Sequence, residues 1–353
     1  MTIGIGILGF AHGHVNAYCT RWRQNPDWGV TPVAGWDHDA DRLEKAAAQH
    51  EVEACATVAD LLGRDDVRAV VVSAETSMHA DLVEQAAAAG KAIMLQKPMA
   101  LTMGEADRIV AAVEKTGVPF TMCWQMRVDP QNVKMKALIE SGDFGQVFMI
   151  RRRHGLPVGL NPQFANSWHV APELNRDIWA DDASHPIDFV QWMVGVPETV
   201  TAEMETLYKP AMVNDQGIAI FRFADGPLAE VTCSFTNPAS ENTTEIICEK
   251  GSIIQNFGDG PSCNIPRPKG AVGLKWFLKE NGEWEYSDLP VPEGHGQRIA
   301  GLAEPLAAFL RGERGPVATA TEGRTSLRML LACYVASGNG ERVTLADPRI
   351  DDV

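Results

Sequence analysis

The chain has 353 residues, 45% hydrophobic and 22% charged, a balance that gives room for two cores and excludes a disordered or fibrous protein. A formal net charge of −15 and an isoelectric point near 5.0 exclude a nucleic-acid partner, whose phosphates need clustered Lys and Arg. The one basic run, Arg151-Arg152-Arg153, reads as a strand with outward charges.

In chain order, the first third alternates apolar strands with alanine-rich helices, the pattern of a parallel sheet. Strands are predicted over Ile3–Leu8, Thr31–Trp36, Val67–Ser73, Ala92–Leu95 and Pro119–Cys123, with helices over His14–Gln24, Asp39–His50, Asp81–Ala89 and Thr102–Lys115. The third strand is almost continuously apolar, as expected when both faces are covered. The pattern changes after about residue 125. A helix over Pro130–Ser141 is followed by β-like runs Gln146–Arg153, Thr199–Leu207, Gly217–Phe223, Leu228–Thr236 and Thr244–Ile254, with hairpin turns at Ala224-Asp225-Gly226-Pro227 and Lys250-Gly251. A surface loop over Gly258–Gly273 and helices over Gln297–Arg311 and Glu322–Ser337 complete the chain. The expected fold class is α/β: a doubly wound parallel sheet over residues 1–124, then an α/β domain over 125–353 with an open, largely antiparallel sheet. There is room for the C-terminal helix to pack back on the first domain.

Cysteines at 19, 55, 123, 233, 248, 263 and 333 include no C-x-x-C pair and read as reduced, mostly buried thiols. The N-terminus has neither a basic leader nor a long apolar span, so the chain reads as cytoplasmic, without a membrane partner.

The string Gly4-Ile5-Gly6-Ile7-Leu8-Gly9 matches G-x-G-x-x-G but lies inside the first strand, whereas a phosphate-binding turn must follow a strand and open a helix. The turn in that position is Gly9-Phe10-Ala11-His12-Gly13-His14. Asp37 ends the second strand 28 residues after Gly9, where a carboxylate accepts hydrogen bonds from an adenosine ribose or, alternatively, caps the helix that follows. A carboxylate there repels a 2′-phosphate and the next residue is His38 rather than Arg, so NAD is expected over NADP. His12 and His14 flank a glycine, yet no further Cys or His lies near enough in sequence to complete a metal site, and no metal is expected.

Asp181-Asp182-Ala183-Ser184-His185-Pro186-Ile187-Asp188 places two carboxylates and an imidazole ahead of an apolar run. In a continuous helix Asp181, His185 and Asp188 would share one face. Pro186 instead favours a helix starting near Ser184, with Asp181 in the lead-in. The segment reads either as acid–base machinery or as a capped helix with a core histidine.

The Gly9 turn, Asp37, Ser73-Ala74-Glu75-Thr76-Ser77-Met78-His79 and Gly90-Lys91-Ala92-Ile93-Met94-Leu95-Gln96-Lys97-Pro98 stand in a recognisable order. So do Arg127-Val128-Asp129-Pro130, Ser141-Gly142-Asp143-Phe144-Gly145, Asp181 with His185 and Asp188, and Lys250-Gly251-Ser252. Taken together they resemble the glucose-fructose oxidoreductase/inositol dehydrogenase/MocA family over nearly the whole chain. The resemblance implies a Rossmann domain and a second domain whose open sheet mediates oligomer contacts, in a homodimer or homotetramer. It implies hydride transfer between a nicotinamide and a secondary alcohol of a sugar, sugar acid or cyclitol. Lys97 would lie between nicotinamide and substrate, His185 would take the hydroxyl proton, and Asp181 would assist. The cofactor would meet Gly9, Phe10, Ala11, His12, Gly13, His14, Asp37, His38, Ser73, Ala74, Glu75, His79, Gln96 and Lys97. The substrate would meet Gln125, Arg127, Arg153, His154, Trp168, Trp179, Asp181 and His185 besides Lys97. Three positions depart from the family pattern: Glu75 replaces a proline, Gln96 an acidic residue, and Asn175-Arg176-Asp177 a glycine run. The same residues would also serve a glycoside hydrolase or lyase that uses bound NAD for transient oxidation, or a non-catalytic sugar- or cofactor-binding regulator.

Overall fold

The computed structural model describes residues 2–209, 212–258 and 266–353, so Cys263 and much of the loop expected over 258–273 lie outside the described residues. The six described cysteines are buried free thiols. The chain forms two units: residues 1–125, 173–175 and 299–327 make the first, and residues 126–172, 176–298 and 328–353 the second.

The chain begins with β1 (Ile3–Leu8), α1 (His14–Gln24), β2 (Val30–Trp36), α2 (Ala40–His50), β3 (Glu53–Ala54) and α3 (Val58–Leu62). It continues through β4 (Val67–Val72), α4 (His79–Ala88), β5 (Ala92–Leu95), α5 (Met103–Thr116) and β6 (Phe120–Met122). After these come α6 (Pro130–Glu140), β7 (Val147–Gly155), α7 (Pro172–Asn175), α8 (Ser184–Val194), β8 (Thr199–Glu205), β9 (Gln216–Arg222) and β10 (Leu228–Ser234). The last elements are β11 (Thr243–Cys248), β12 (Gly251–Gln255), β13 (Leu274–Leu278), β14 (Trp284–Tyr286), α9 (His295–Ala300), α10 (Ala303–Leu310), α11 (Ala320–Asn339) and β15 (Val343–Thr344).

In the first unit six parallel strands run in the order β3-β2-β1-β4-β5-β6. The β-branched residues that fill β1 and β4 account for their central place: Ile5, Ile7, Val70, Val71 and Val72 are fully buried, each contributing about 1.5–3 kcal/mol of transfer free energy. Chain order reverses between β1 and β4, which opens a crevice at the carboxyl ends of these strands. Val15, Tyr18, Cys19 and Trp22 give α1 a buried face at helical spacing. The Trp22 indole N–H donates to the Ala303 carbonyl at 2.8 Å, and the Met122 N–H, on the edge strand β6, donates to the Ala318 carbonyl at 2.9 Å. These bonds hold residues 299–327 within the first unit. α5 starts on a capping box of Thr102 and Glu105 and stops at Gly117, whose φ of +66° suits glycine.

The second unit is a nine-stranded sheet, β14-β13-β12-β11-β7-β10-β9-β8-β15. Every pairing is antiparallel except β7 with β10. The run over Thr244–Ile254 folds back around the expected Lys250-Gly251 turn, with Ile246 opposite Ile253. Several other expectations need correction. The helix expected over Gln297–Arg311 breaks before α10 because Pro305 fits only a first helical turn. The short strands β3, β13, β14 and β15 have no counterpart in the sequence reading. Arg152 does not point outward: alternation along β7 turns it into the core, where its Nη1 donates to Thr244 Oγ1 at 2.9 Å and to Gln255 Oε1 at 3.2 Å. Among the described residues no helix is long and apolar enough to cross a membrane.

Candidate active site

In the first unit, β1 ends at Leu8 and the chain turns at Gly9, whose φ is +88° and where a Cβ would lie 2.4 Å from Ala74 Cα. Only glycine fits there. The turn is braced from beneath: the Phe10 N–H donates to Asp37 Oδ2 (2.7 Å), the His12 N–H to the Ser73 carbonyl (2.9 Å) and Ser73 Oγ to the Gly9 carbonyl (2.5 Å). Gly13 has nothing within 4 Å of its Cβ position. α1 then opens with no side-chain cap and no acidic residue in its first turn. A close-approach glycine, an open glycine and an uncapped helix N-terminus fit the pyrophosphate of a dinucleotide. The His12 and His14 rings meet edge-to-face with centroids 4.4 Å apart. Among the described residues no group of three or more His, Cys, Asp or Glu is arranged to hold a metal ion.

Several residues expected to line the cofactor instead support the turn from the core side. The Phe10 ring lies against the Gly35 backbone, Ser73 is fully buried in its bracing role, and Gln96 donates from Nε2 to Tyr18 Oη at 3.2 Å beneath α1. His79 is fully buried, with Nδ1 at 3.0 Å from the Pro98 carbonyl and Nε2 at 3.2 Å from the Ala74 carbonyl. It therefore fastens the loop after β4 to the loop that carries Lys97. Burial pushes its imidazole down to about 4, so the folded protein holds it neutral while the unfolded chain protonates it below the usual histidine value of about 6.5. Stability should thus be lost as pH falls from about 6.5 towards 4, by up to roughly 3 kcal/mol from this group. Urea midpoints measured across that window should fall more steeply for the wild type than for His79→Asn. Parallel curves would remove His79 as the titrating group.

Asp37 requires the largest correction. Its side chain has 0% exposure, and four donors fill its carboxylate: the Phe10 N–H, the Asp39 N–H (2.9 Å), and Arg42 through Nε and Nη2 (2.7 Å each). A carboxylate offers about four acceptor sites, so none remains for a ribose. Removing Arg42 would strand a buried charge at a cost of about 3–5 kcal/mol. Arg42 Nη2 also reaches Glu75 Oε1 at 2.9 Å, and His38 Nε2 lies 2.9 Å from Glu75 Oε2. From sequence, Arg42 counts with His38 as a source of positive charge near the ribose; its place on the first turn of α2, five residues after Asp37, was the available signal for this pairing. Lys97 follows β5, is 3% exposed and precedes a cis bond to Pro98.

In the second unit, one turn of π-helix over Trp179–Ala183 leads into α8, with Pro186 inside the first α-helical turn. A π turn advances less around the axis per residue, which takes Asp181 off the face expected to join it to His185 and Asp188. Each of the three has a partner of its own. Asp181 Oδ2 lies 3.2 Å from His169 Nδ1, and Asp188 takes Arg127 through Nε (2.9 Å) and Nη2 (2.8 Å). Beside His185 lies the carboxylate of Asp182, whose Oδ1 is 3.7 Å from His185 Nε2 and equally 3.7 Å from His154 Nε2. Arg127 is committed to this buried pair rather than presented to a substrate. Trp179 is also a correction: it is fully buried, and its ring occupies the space where Gly217 lacks a Cβ. Arg153 points to the opposite face of β7 from His154. Trp168 stacks on His169 at 4.0 Å, and Phe164 stacks on the same imidazole at 4.9 Å. Gln125, 4% exposed, ends the first unit's N-terminal segment. At Arg176, where the family pattern has glycine, φ is +73°; its guanidinium lies over the Tyr334 ring and Nη2 donates to the Val353 carbonyl at 3.0 Å.

Residues 2–123 match the family model described as an oxidoreductase family with an NAD-binding Rossmann fold, and residues 132–254 match the GFO/IDH/MocA C-terminal domain. Among curated relatives, an inositol 2-dehydrogenase of Ralstonia nicotianae is 26% identical over 98% of both chains. A 1,5-anhydro-D-fructose reductase of Ensifer adhaerens is 27% identical over 81% of this chain and 82% of its own. Among solved structures, levoglucosan dehydrogenase in complex with NADH and levoglucosan superposes with a TM-score of 0.83 at 19% identity, covering 98% of this chain and all (100%) of that one. At that identity the likeness speaks for the fold. With both of its units matched and the phosphate turn built for a dinucleotide, the chain belongs to the GFO/IDH/MocA family of NAD-binding oxidoreductases.

Proposed function

We propose that the chain oxidises a secondary alcohol of a sugar, sugar acid or cyclitol, with Lys97 and His185 acting on the same hydroxyl. NAD supplies the two-electron acceptor when bound. As the carbonyl forms, the hydroxyl proton passes to the His185 imidazole, and the Asp182 carboxylate, 3.7 Å from Nε2, balances the charge that appears there. Lys97 hydrogen-bonds the oxygen and steadies negative charge on it. His169, held by Asp181 and stacked on Trp168, offers a polar edge and an aromatic face to a polyhydroxylated ring, and His154 and Gln125 supply further hydrogen bonds. The observation that carries this reading is the nearly buried imidazole–carboxylate couple of His185 and Asp182 on a helix opened by a π turn. The relatives named for inositol and anhydrofructose support the substrate class.

The test is a panel of cyclitols, sugars and sugar acids incubated with protein and NAD. Net formation of reduced nicotinamide with one of them supports the reading. Cleavage of the sugar without net reduction would replace it with transient oxidation in a hydrolase or lyase, and NAD binding without turnover would replace it with a regulator.

The open face of the second sheet exposes Ile218 (46%), Ile220 (45%) and Leu228 (41%) on neighbouring strands. We assign this face to a homodimer or homotetramer contact. Light scattering at micromolar concentration should give a multiple of the 38.4 kDa chain mass, and a monomer would sink the assignment.

A further inference from the structure

We propose that Glu75 sets the cofactor preference: its carboxylate lies behind Arg42 and His38, offsets the guanidinium charge, and so withholds the cation that a 2′-phosphate would need. This rests on the family's NAD binding and on the adenosine ribose lying at the carboxyl end of β2.

Acidic residues at the end of β2 ordinarily read the 2′-hydroxyl, but Asp37 is closed to any ligand by its four donors. An arginine beside the ribose would ordinarily invite a 2′-phosphate, because the guanidinium fork matches a phosphate bidentately. Arg42 has that position, and its side chain is 25% exposed, with His38 beside it at 46%. Both are therefore what an incoming phosphate meets. Glu75, only 5% exposed, engages both from the buried side. Arg42 Nη2 is shared among Asp37 Oδ1 (2.7 Å), Glu75 Oε1 (2.9 Å) and His38 Nε2 (3.2 Å), while Nε is spent on Asp37 Oδ2 (2.7 Å). With a neutral imidazole, two carboxylates face one guanidinium, and the cluster is negative by one charge. Replacing Glu75 by glutamine brings it to neutrality, while the amide keeps an oxygen for Arg42 Nη2 to donate to, so the change is one of charge. Asp37 keeps its own four donors, so the phosphate turn is undisturbed.

The experiment is a titration of NAD and NADP into the full-length protein, followed by calorimetry, for wild type and Glu75→Gln at low and high salt. Wild type should bind NAD more tightly than NADP, and the gap should narrow as salt screens the cluster. Glu75→Gln should bind NADP about tenfold or more tightly than wild type at low salt, with NAD affinity changed by less than about threefold, and the gain should shrink at high salt. An unchanged NADP affinity in a variant that still binds NAD would overturn the inference, as would equal gains for both nucleotides or a gain indifferent to salt. Should Glu75→Gln fail to fold, the wild-type salt series still decides: NADP binding that weakens with salt more than NAD binding does would show a net attractive site and overturn it. A wild type that binds neither nucleotide would overturn the cofactor reading itself, and this inference with it.

Discussion

Lys97→Ala should lose about 10²–10³-fold in kcat while binding NAD within a few-fold of wild type, the loss typical of removing one donor aimed at a developing oxyanion. The side chain is nearly buried, so its truncation also leaves a small void, and a modest fall in melting temperature is expected alongside. What separates the two effects is where they register: lost packing lowers Tm at every pH and leaves kcat per folded molecule alone. Stopped-flow turnover of the folded fraction, measured with whichever alcohol the panel identifies, is the check. Near-normal turnover would take Lys97 out of the reaction and leave it as a residue of the loop that His79 fastens.

His185→Asn should slow oxidation by about 10²–10⁴-fold, the usual contribution of a positioned general base, and should flatten the acidic limb of the pH–rate profile. Only the neutral imidazole accepts the proton, so wild-type oxidation rises with pH through that titration. A carboxylate 3.7 Å from Nε2 favours the imidazolium, so Asp182→Asn should move the limb to lower pH relative to wild type. Asp181→Asn should do less to the limb and more to substrate affinity, because its carboxylate holds His169. A limb that follows Asp181 rather than Asp182 would contradict the pairing, and a His185→Asn enzyme with the wild-type profile would reduce the histidine to a core residue.

The alternation of strand and helix was legible because burial on both faces writes a continuous apolar run into β4, and burial on one face writes a helical stripe into α1. The short strands β13, β14 and β15 were not, since two to five residues carry little period. The candidate site was legible as a set of residues and poorly legible as a set of pairs. His79 stood in the motif as a ligand, although its spacing to Leu82 and Val83 places it on the buried face of α4. Asp37 was expected to face a ribose because its place at the end of β2 outweighed the one signal against it, Arg42 on the first turn of α2. The π turn that sets Asp182 beside His185 has no sequence signal: one residue more in a turn changes the phase of everything before it. Glu75 stood out as a departure, but the arginine and histidine it holds come from another strand–helix junction and only the fold brings them together.

The bond from the Met122 N–H to the Ala318 carbonyl has a consequence for synthesis on the ribosome. The edge strand of the first sheet is made early, but the segment that covers it emerges only after nearly the whole second unit has been translated. At roughly 5–20 residues per second, that edge waits about 10–40 s with its amides unpaired, long enough for a neighbouring nascent chain on the same message to find it.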